Sequence, residues 1–242
     1  MSSHSSINDE TLPHATSSNS ASTPFKLTRD STLKDFLRLN QTRANLVSHN
    51  HPEIYPSNGK GQSPHTLWIG CSDSRAGESC LDVLPGEIFL HRNIANVISP
   101  NDVSSTGAIQ FAVDVLKVKK VIVCGHTDCG GIHASLSSKK IGGVLDHWLN
   151  PIRHVRAAHL KELNALGDAQ EKCTRLSTLN VISSVHALRR HPSASAALKR
   201  GEIEVWGLMY DCGTGLLREV EIPDDEFEDL FHMDEHSIEL PH

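Results

Sequence analysis

Residues Lys120 to Gly131 read KVIVCGHTDCGG, an unbroken apolar run that gives way to a turn-rich segment carrying His126, Cys129 and two glycines. A short apolar run bounded by turn residues is the pattern of a strand buried on both faces of a parallel sheet. The strand is predicted over Lys120 to Cys124, ending at Gly125 and His126. Immediately upstream, Val103 to Val118 (VSSTGAIQFAVDVLKV) spaces Ile109, Val113 and Leu116 along one helical face. Before that, Thr66 to Ser72 (TLWIGCS) repeats the buried-strand pattern and places Cys71 at its carboxyl end. Strand, helix and strand in this order predict parallel βαβ units with right-handed crossovers, and hence an α/β fold. In open α/β sheets ligands gather at the carboxyl ends of strands, which is where Cys71 and His126 fall.

Working outward, a further strand is expected over Glu87 to His91, after the turn at Pro85 and Gly86. Glu202 to Tyr210 and Gly215 to Ile222 flank a DCGT spacer, Asp211 to Thr214, and read as a hairpin at a sheet edge. The fold class is thus a mostly parallel central sheet flanked by helices, with an added edge strand or hairpin. Helices are expected over Leu145 to Leu163, Glu171 to Arg190 and Ser193 to Arg200, and an amphipathic one from Ser31 to residue 50, capped by Asp30 or Ser31. His51 to Ser63, with two prolines and two glycines, reads as a loop. Residues 1 to 30 are Ser-rich and too poor in apolar side chains to offset ordering entropy, so they are expected to be a disordered tail. Residues 31 to 222 then form one domain, and 223 to 242 a tail with eight acidic residues, of which Phe227, Leu230 and Phe231 are expected to dock.

The chain has 242 residues and a formal net charge of -6, which leaves no basic footprint for nucleic acid. No apolar run approaches the roughly 20 residues that span a bilayer, and the amino terminus lacks a secretory layout. Asp9 and Glu10, with no Arg before Arg29, argue against a mitochondrial presequence, so a cytoplasmic location is expected. Six cysteines are too sparse for a disulfide scaffold. Cys80, Cys124, Cys173 and Cys212 read as small reduced side chains.

Cys71, His126 and Cys129 are the candidate metal ligands. Zn²⁺ accepts thiolate and imidazole in tetrahedral geometry, and catalytic sites keep three protein ligands and one exchangeable position. A structural site would be closed by a fourth Cys or His, yet Cys80 and Cys124 are expected mid-helix and mid-strand. Asp73 and Arg75, two residues apart and in phase with Cys71 on an extended segment, are expected to pair beside the metal. A simple surface ion pair is the bland reading of those two residues.

Three motifs in order, CSDSR (Cys71 to Arg75), PGEIFLHRNIANVI (Pro85 to Ile98) and CGHTDCGG (Cys124 to Gly131), resemble the β-class carbonic anhydrases, and Gly77 to Glu87 is most similar to fungal members. The resemblance spans about Phe36 to Ile222. It implies a zinc lyase interconverting CO₂ and bicarbonate, with about four parallel strands plus one more. It also implies assembly as a homodimer or homotetramer with sites near the subunit interface, the helix from Ser31 being a candidate dimer arm. By the same resemblance the zinc, one per subunit, falls on Cys71, His126 and Cys129, the catalytic dyad on Asp73 and Arg75, and an anion-orienting backbone N–H on Gly131. Leu84 stands where plant-type members place a substrate-contacting Gln. Trp68 matches a bacterial bicarbonate-regulated site but Ala76 does not, so that site is expected to be absent.

Zinc lowers the pKa of bound water from about 15.7 toward about 7, and zinc-bound hydroxide then attacks CO₂. Two thiolates cancel the metal's formal charge, so the water here is expected to be less acidic than on three imidazoles. Asp73, fixed by Arg75, would accept the water's hydrogen bond. If Arg75 releases it, Asp73 would itself bind zinc in a closed, inactive state, which predicts activity rising on the alkaline side. None of the 16 histidines is singled out as a proton shuttle, and His91 reads as structural. Two rival readings are a COS or CS₂ hydrolase on the same scaffold and a non-catalytic zinc or bicarbonate-binding regulator. A thiol redox site at Cys124 and Cys129 lacks the Cys-x-x-Cys spacing.

Overall fold

The computed structural model of the protein describes residues 24–231. The Ser-rich segment before residue 24 and the last part of the acidic tail lie outside the described residues. Residues 24–54 and those from Tyr55 onward form separate units, each described by itself.

In the first unit, α1 runs Leu33–Asn50. Thr32, not Asp30 or Ser31, is its N-cap, because the Asp35 carboxylate reaches back to accept the Thr32 backbone N–H at 2.9 Å. Leu33, Phe36, Leu37 and Leu46 on this helix are each half or more exposed within the chain, whereas Val47 is buried.

The second unit holds a five-stranded sheet: β1 (Thr66–Cys71), β2 (Ile88–Asn93), β3 (Lys120–His126), β4 (Glu204–Tyr210) and β5 (Leu217–Val220), in the order β2-β1-β3-β4-β5. β1, β2, β3 and β4 are parallel, and β5 is antiparallel to β4 at one edge. The expected hairpin therefore exists, but its first strand is an interior parallel strand, since β4 also pairs with β3 along its whole length. β2 runs two residues beyond the expected His91, to Asn93. The order reverses at β1, with β2 on one side and β3 on the other. The crevice outside the carboxyl ends of β1 and β3 is thus a topological switch point.

Side chains alternate across the sheet as the strand pleat demands. Leu67, Ile69, Val121 and Val123 enter a core closed by Val181, Val185 and Leu188. Trp68, Ile122 and Cys124 occupy the opposite face with Leu208 and Tyr210. The helices that cover the sheet are α3 (Val103–Gln110), α4 (Gly130–Leu136), α5 (Gly143–Trp148), α6 (Asn150–Ala158), α7 (Leu160–Ala165), α8 (Ala169–Arg189) and α9 (Pro192–Lys199). A short α2 (Ile54–Asn58) lies inside the expected loop. α3 is capped by Asp102, whose carboxylate accepts the Ser104 and Ser105 N–H groups, and it continues as a π turn over Phe111–Val115.

The expected continuous helix over Leu145 to Leu163 is three helices, and the first break falls where Pro151, in the first turn of α6, cannot donate the backbone bond that would continue α5. The expected docking of Phe227 and Leu230 is not found, and the Phe231 side chain lies outside the described residues; an ion pair anchors this segment instead. Phe227 is 56% and Leu230 74% exposed, while Asp225 is nearly buried and accepts Arg190 Nε and Nη2 at 2.6 and 2.7 Å.

Candidate metal centre

β1 and β3 finish side by side, with Gly70 opposite Cys124, so Cys71 and His126 arrive together at the switch point. Cys129 follows one turn later, at the N-cap of α4. Their ligand atoms lie within 4.8 Å of one another and all three side chains are buried. No other group of three or more metal-ligating side chains this close occurs among the described residues.

His126 decides the chemistry of this cluster. Its Nδ1 sits 2.9 Å from the Thr127 carbonyl oxygen, a partner that can only accept, so Nδ1 carries the proton. Nε2 is left as a bare lone pair, buried and without a hydrogen-bond partner. A buried acceptor without a partner costs about 1–3 kcal/mol, and a cation beside it removes that cost. This is the tautomer and orientation that a metal-ligating histidine adopts.

The two sulfurs belong to the same cluster. Cys71 Sγ and Cys129 Sγ are 4.0 Å apart within an apolar cluster of Ala95, Val97, Ile132, Leu149 and Ile152. The hydrogen bond from Cys129 pulls the Cys71 thiol well below its ordinary range, despite burial. Cys129 is pushed up, because its proton is held by the Cys71 thiolate and because it is buried. A divalent cation held here would be bound by two thiolates. Cys124 behaves differently: burial pushes its thiol up to about 12, and it remains an inert core residue. All six cysteines are free.

The Cys71 sulfur also accepts the backbone N–H groups of Ala95 at 3.2 Å and Asp73 at 3.4 Å. Ala95 reaches it only by adopting φ +62, and Asn96 follows at φ +47, a left-handed pair that is strained for a side chain such as Ala. α8 holds the strain in place: Asn180 Nδ2 donates to the Ala95 carbonyl at 2.8 Å and Ser184 Oγ to that of Asn96 at 3.1 Å. Arg92 clamps the other flank, with Nε donating to the Cys71 carbonyl at 2.7 Å and Nη2 to the carbonyls of Asp73 and Ala76.

Asp73 and Arg75 are paired as expected, but through a turn and not an extended segment. The Arg75 backbone N–H donates to Asp73 Oδ1 at 2.9 Å and Ala76 N–H to the Asp73 carbonyl at 3.2 Å. The guanidinium then grips the carboxylate with Nε at 3.0 Å and Nη2 at 2.9 Å. Those hydrogen bonds hold the Asp73 carboxyl well below the usual carboxylate range. Asp73 Oδ2 lies 3.9 Å from His126 Nε2, beside the ligand cluster. Gly131 lines the floor, where an added Cβ would come within 3.0 Å of Ala95 Cβ and 3.2 Å of Ile94 Cγ2.

A family model described as carbonic anhydrase matches residues 66–217 of this chain. The carbonic anhydrase of Candida albicans is 67% identical over 219 residues, covering 89% of this chain and 78% of that protein. The carbonic anhydrase of Saccharomyces cerevisiae is 39% identical, covering 84% of this chain and 96% of that protein. The crystal structure of the β-carbonic anhydrase CafA of Aspergillus fumigatus aligns with a TM-score of 0.77 at 44% identity, over 83% of this chain and 99% of that one. The chain belongs to the β-carbonic anhydrase family. Another structure of this family, from a report of two tetrameric β-carbonic anhydrases of Sordaria macrospora, aligns with a TM-score of 0.74 at 42% identity, over 76% of this chain and 94% of that one.

Against this β-carbonic anhydrase frame, the residues that sequence reasoning missed are those that orient others. Thr127 accepts the His126 Nδ1 proton, and its Oγ1 accepts the Cys212 backbone N–H at 3.0 Å. Asn180 and Ser184 were read only as helix residues. A signal for them did exist, since two small polar residues four apart on an otherwise apolar helix face invite a search for backbone partners.

Proposed function

We propose that the chain catalyses the reversible hydration of CO₂ to bicarbonate and a proton, with one zinc ion per subunit held by Cys71, His126 and Cys129. The buried, unpartnered His126 Nε2, grouped with the Cys71 and Cys129 sulfurs within 4.8 Å, carries this reading. Two soft sulfurs and one imidazole, with Asp73 beside them, suit zinc in a catalytic site. When bound there, zinc would act as a Lewis acid that makes a water acidic enough to attack CO₂.

The chain's own residues supply orientation. Asp73, ionised and gripped by Arg75, accepts a hydrogen bond from the attacking water and so aims a lone pair at CO₂. Arg75 keeps that carboxylate from turning inward. By the family resemblance, the Gly131 N–H would be the donor that orients the bicarbonate anion. Asp73 is close enough to the ligand cluster that release by Arg75 would let it block the site, giving lower activity toward neutral pH. No helix among the described residues is long and apolar enough to cross a membrane, and we place the enzyme in the cytoplasm. The exposed apolar residues of α1 support its use as an arm in a homodimer or homotetramer.

Stopped-flow CO₂ hydration by protein of measured zinc content tests this. Wild type should be active, and Asp73→Ala should lose most of kcat while keeping its zinc. A zinc-loaded wild type without hydration activity overturns the proposal.

A further inference from the structure

We infer that Asp128 is a positioning residue that fixes Arg75 on Asp73, with His133 bracing Asp128 from behind; the inference rests on the roles just proposed for Asp73 and Arg75. The Arg75 side chain is 46% exposed, so burial does not hold it. Its edge formed by Nε and Nη2 is taken by Asp73. The remaining edge is taken by Asp128: Nη1 donates to Asp128 Oδ2 at 2.9 Å, and Nη2 donates to the Asp128 backbone oxygen at 2.9 Å. A planar guanidinium held on two edges cannot rotate about its long axis, whereas one held on a single edge can.

Asp128 is itself held. Its second carboxylate oxygen, Oδ1, lies 2.8 Å from His133 Nε2, a side chain from α4. The result is a chain of contacts from His133 through Asp128 and Arg75 to Asp73, with Arg75 Nη2 shared between the two aspartates. Asp128 also shapes the turn between His126 and Cys129, with φ +56. Asp and Asn tolerate that left-handed conformation and Gly adopts it freely, whereas Ala is strained there. This lets the two roles be separated, because Asp128→Gly removes the carboxylate and keeps the turn, and Asp128→Asn keeps the turn and one acceptor oxygen.

In the metal-free protein, the Nε–H resonance of Arg75 should broaden and exchange faster with solvent in Asp128→Gly, and recover in Asp128→Asn. In the zinc-loaded protein, Asp128→Gly should lower kcat about five- to tenfold with KM little changed, Asp128→Asn should return to within about twofold of wild type, and His133→Ala should show a smaller loss in the same direction. Zinc content should be the same in all. An Arg75 resonance and a kcat unchanged in Asp128→Gly would show that only the turn matters and would overturn the inference. If wild type fails to hydrate CO₂, the proposed function falls, and the Arg75 resonance then decides the clamp alone: a shift in Asp128→Gly supports it and no shift overturns it.

Discussion

Gly125 precedes His126 on β3, and its lack of a side chain sets how closely α8 can approach the strand that delivers the histidine. A Cβ at this position would lie 2.6 Å from Val181 Cγ2 and 2.9 Å from Met209 Sδ. Met209 is unbranched and can yield, but Val181 is β-branched, fully buried and confined to one rotamer on a helix, so α8 would have to move. Overpacking of this kind costs about 1–3 kcal/mol, and two contacts below 3.0 Å place Gly125→Ala in the upper half of that range. Against it stand about 0.4–1 kcal/mol from the less flexible unfolded chain and about 0.8 kcal/mol from burying a methyl. The net is a destabilisation of about 1 kcal/mol, which in a chain of this size lowers Tm by about 2–4 °C. Gly107, in α3, supplies the control, because nothing lies within 4 Å of its added Cβ. Gly107→Ala should gain about 0.5–1 kcal/mol from helix propensity. Thermal unfolding followed by circular dichroism, with chelator present so that bound metal does not add stability by mass action, should move the two variants in opposite directions. A Gly125→Ala protein as stable as Gly107→Ala would refute the packing argument.

Two further outcomes follow. For zinc-loaded enzyme, kcat/KM should rise from pH 6 to pH 9, since two thiolates make the site a weak Lewis acid and Asp73 competes for it; a flat profile contradicts this. Burial, the largest single influence, would raise the Asp225 carboxyl, but the Arg190 hydrogen bonds, the Phe227 backbone N–H and the nearby Arg190 and His186 charges together outweigh it and lower it. A lowered folded value means that the stabilisation is present above the unfolded carboxyl range near 4 and is lost as pH falls through the folded value. Asp225→Asn should therefore cost about 1.5–3 kcal/mol at pH 7, and the difference from wild type in urea titrations should shrink as the pH falls below the unfolded carboxyl range.

The parts of the fold legible in the sequence are those where burial leaves no choice. β1 and β3 are covered on both faces, so their apolar runs stand out. β2 is an edge strand of half-buried residues, His91, Arg92 and Asn93 among them, so its polar end did not look like a strand. β4 was recognised as a strand but not as an interior one, because pairing partners leave no local pattern. The break near Leu149 was legible in Pro151, which the apolar spacing of the flanking helices obscured. The cluster of Cys71, His126 and Cys129, which could hold a metal ion, stood out because Cys and His have few uses at strand ends. Asp128 and Thr127 could not, since Asp and Thr are common at turns, and Arg75 and Cys212 reach them from distant segments. Asp225 looked like one more solvated acid in an acidic tail until Arg190 was placed beside it.

The central claim is that Cys71, His126 and Cys129 hold one zinc on which CO₂ hydration depends. The most direct test is to strip the protein with chelator, titrate zinc back while measuring metal per chain and the hydration rate together, and repeat this with Cys129→Ala. The account predicts activity that climbs linearly and saturates at one zinc per chain, with Cys129→Ala neither retaining the metal nor recovering activity. Full activity in stripped protein, or a Cys129→Ala variant that binds zinc and hydrates CO₂ as wild type does, would contradict it.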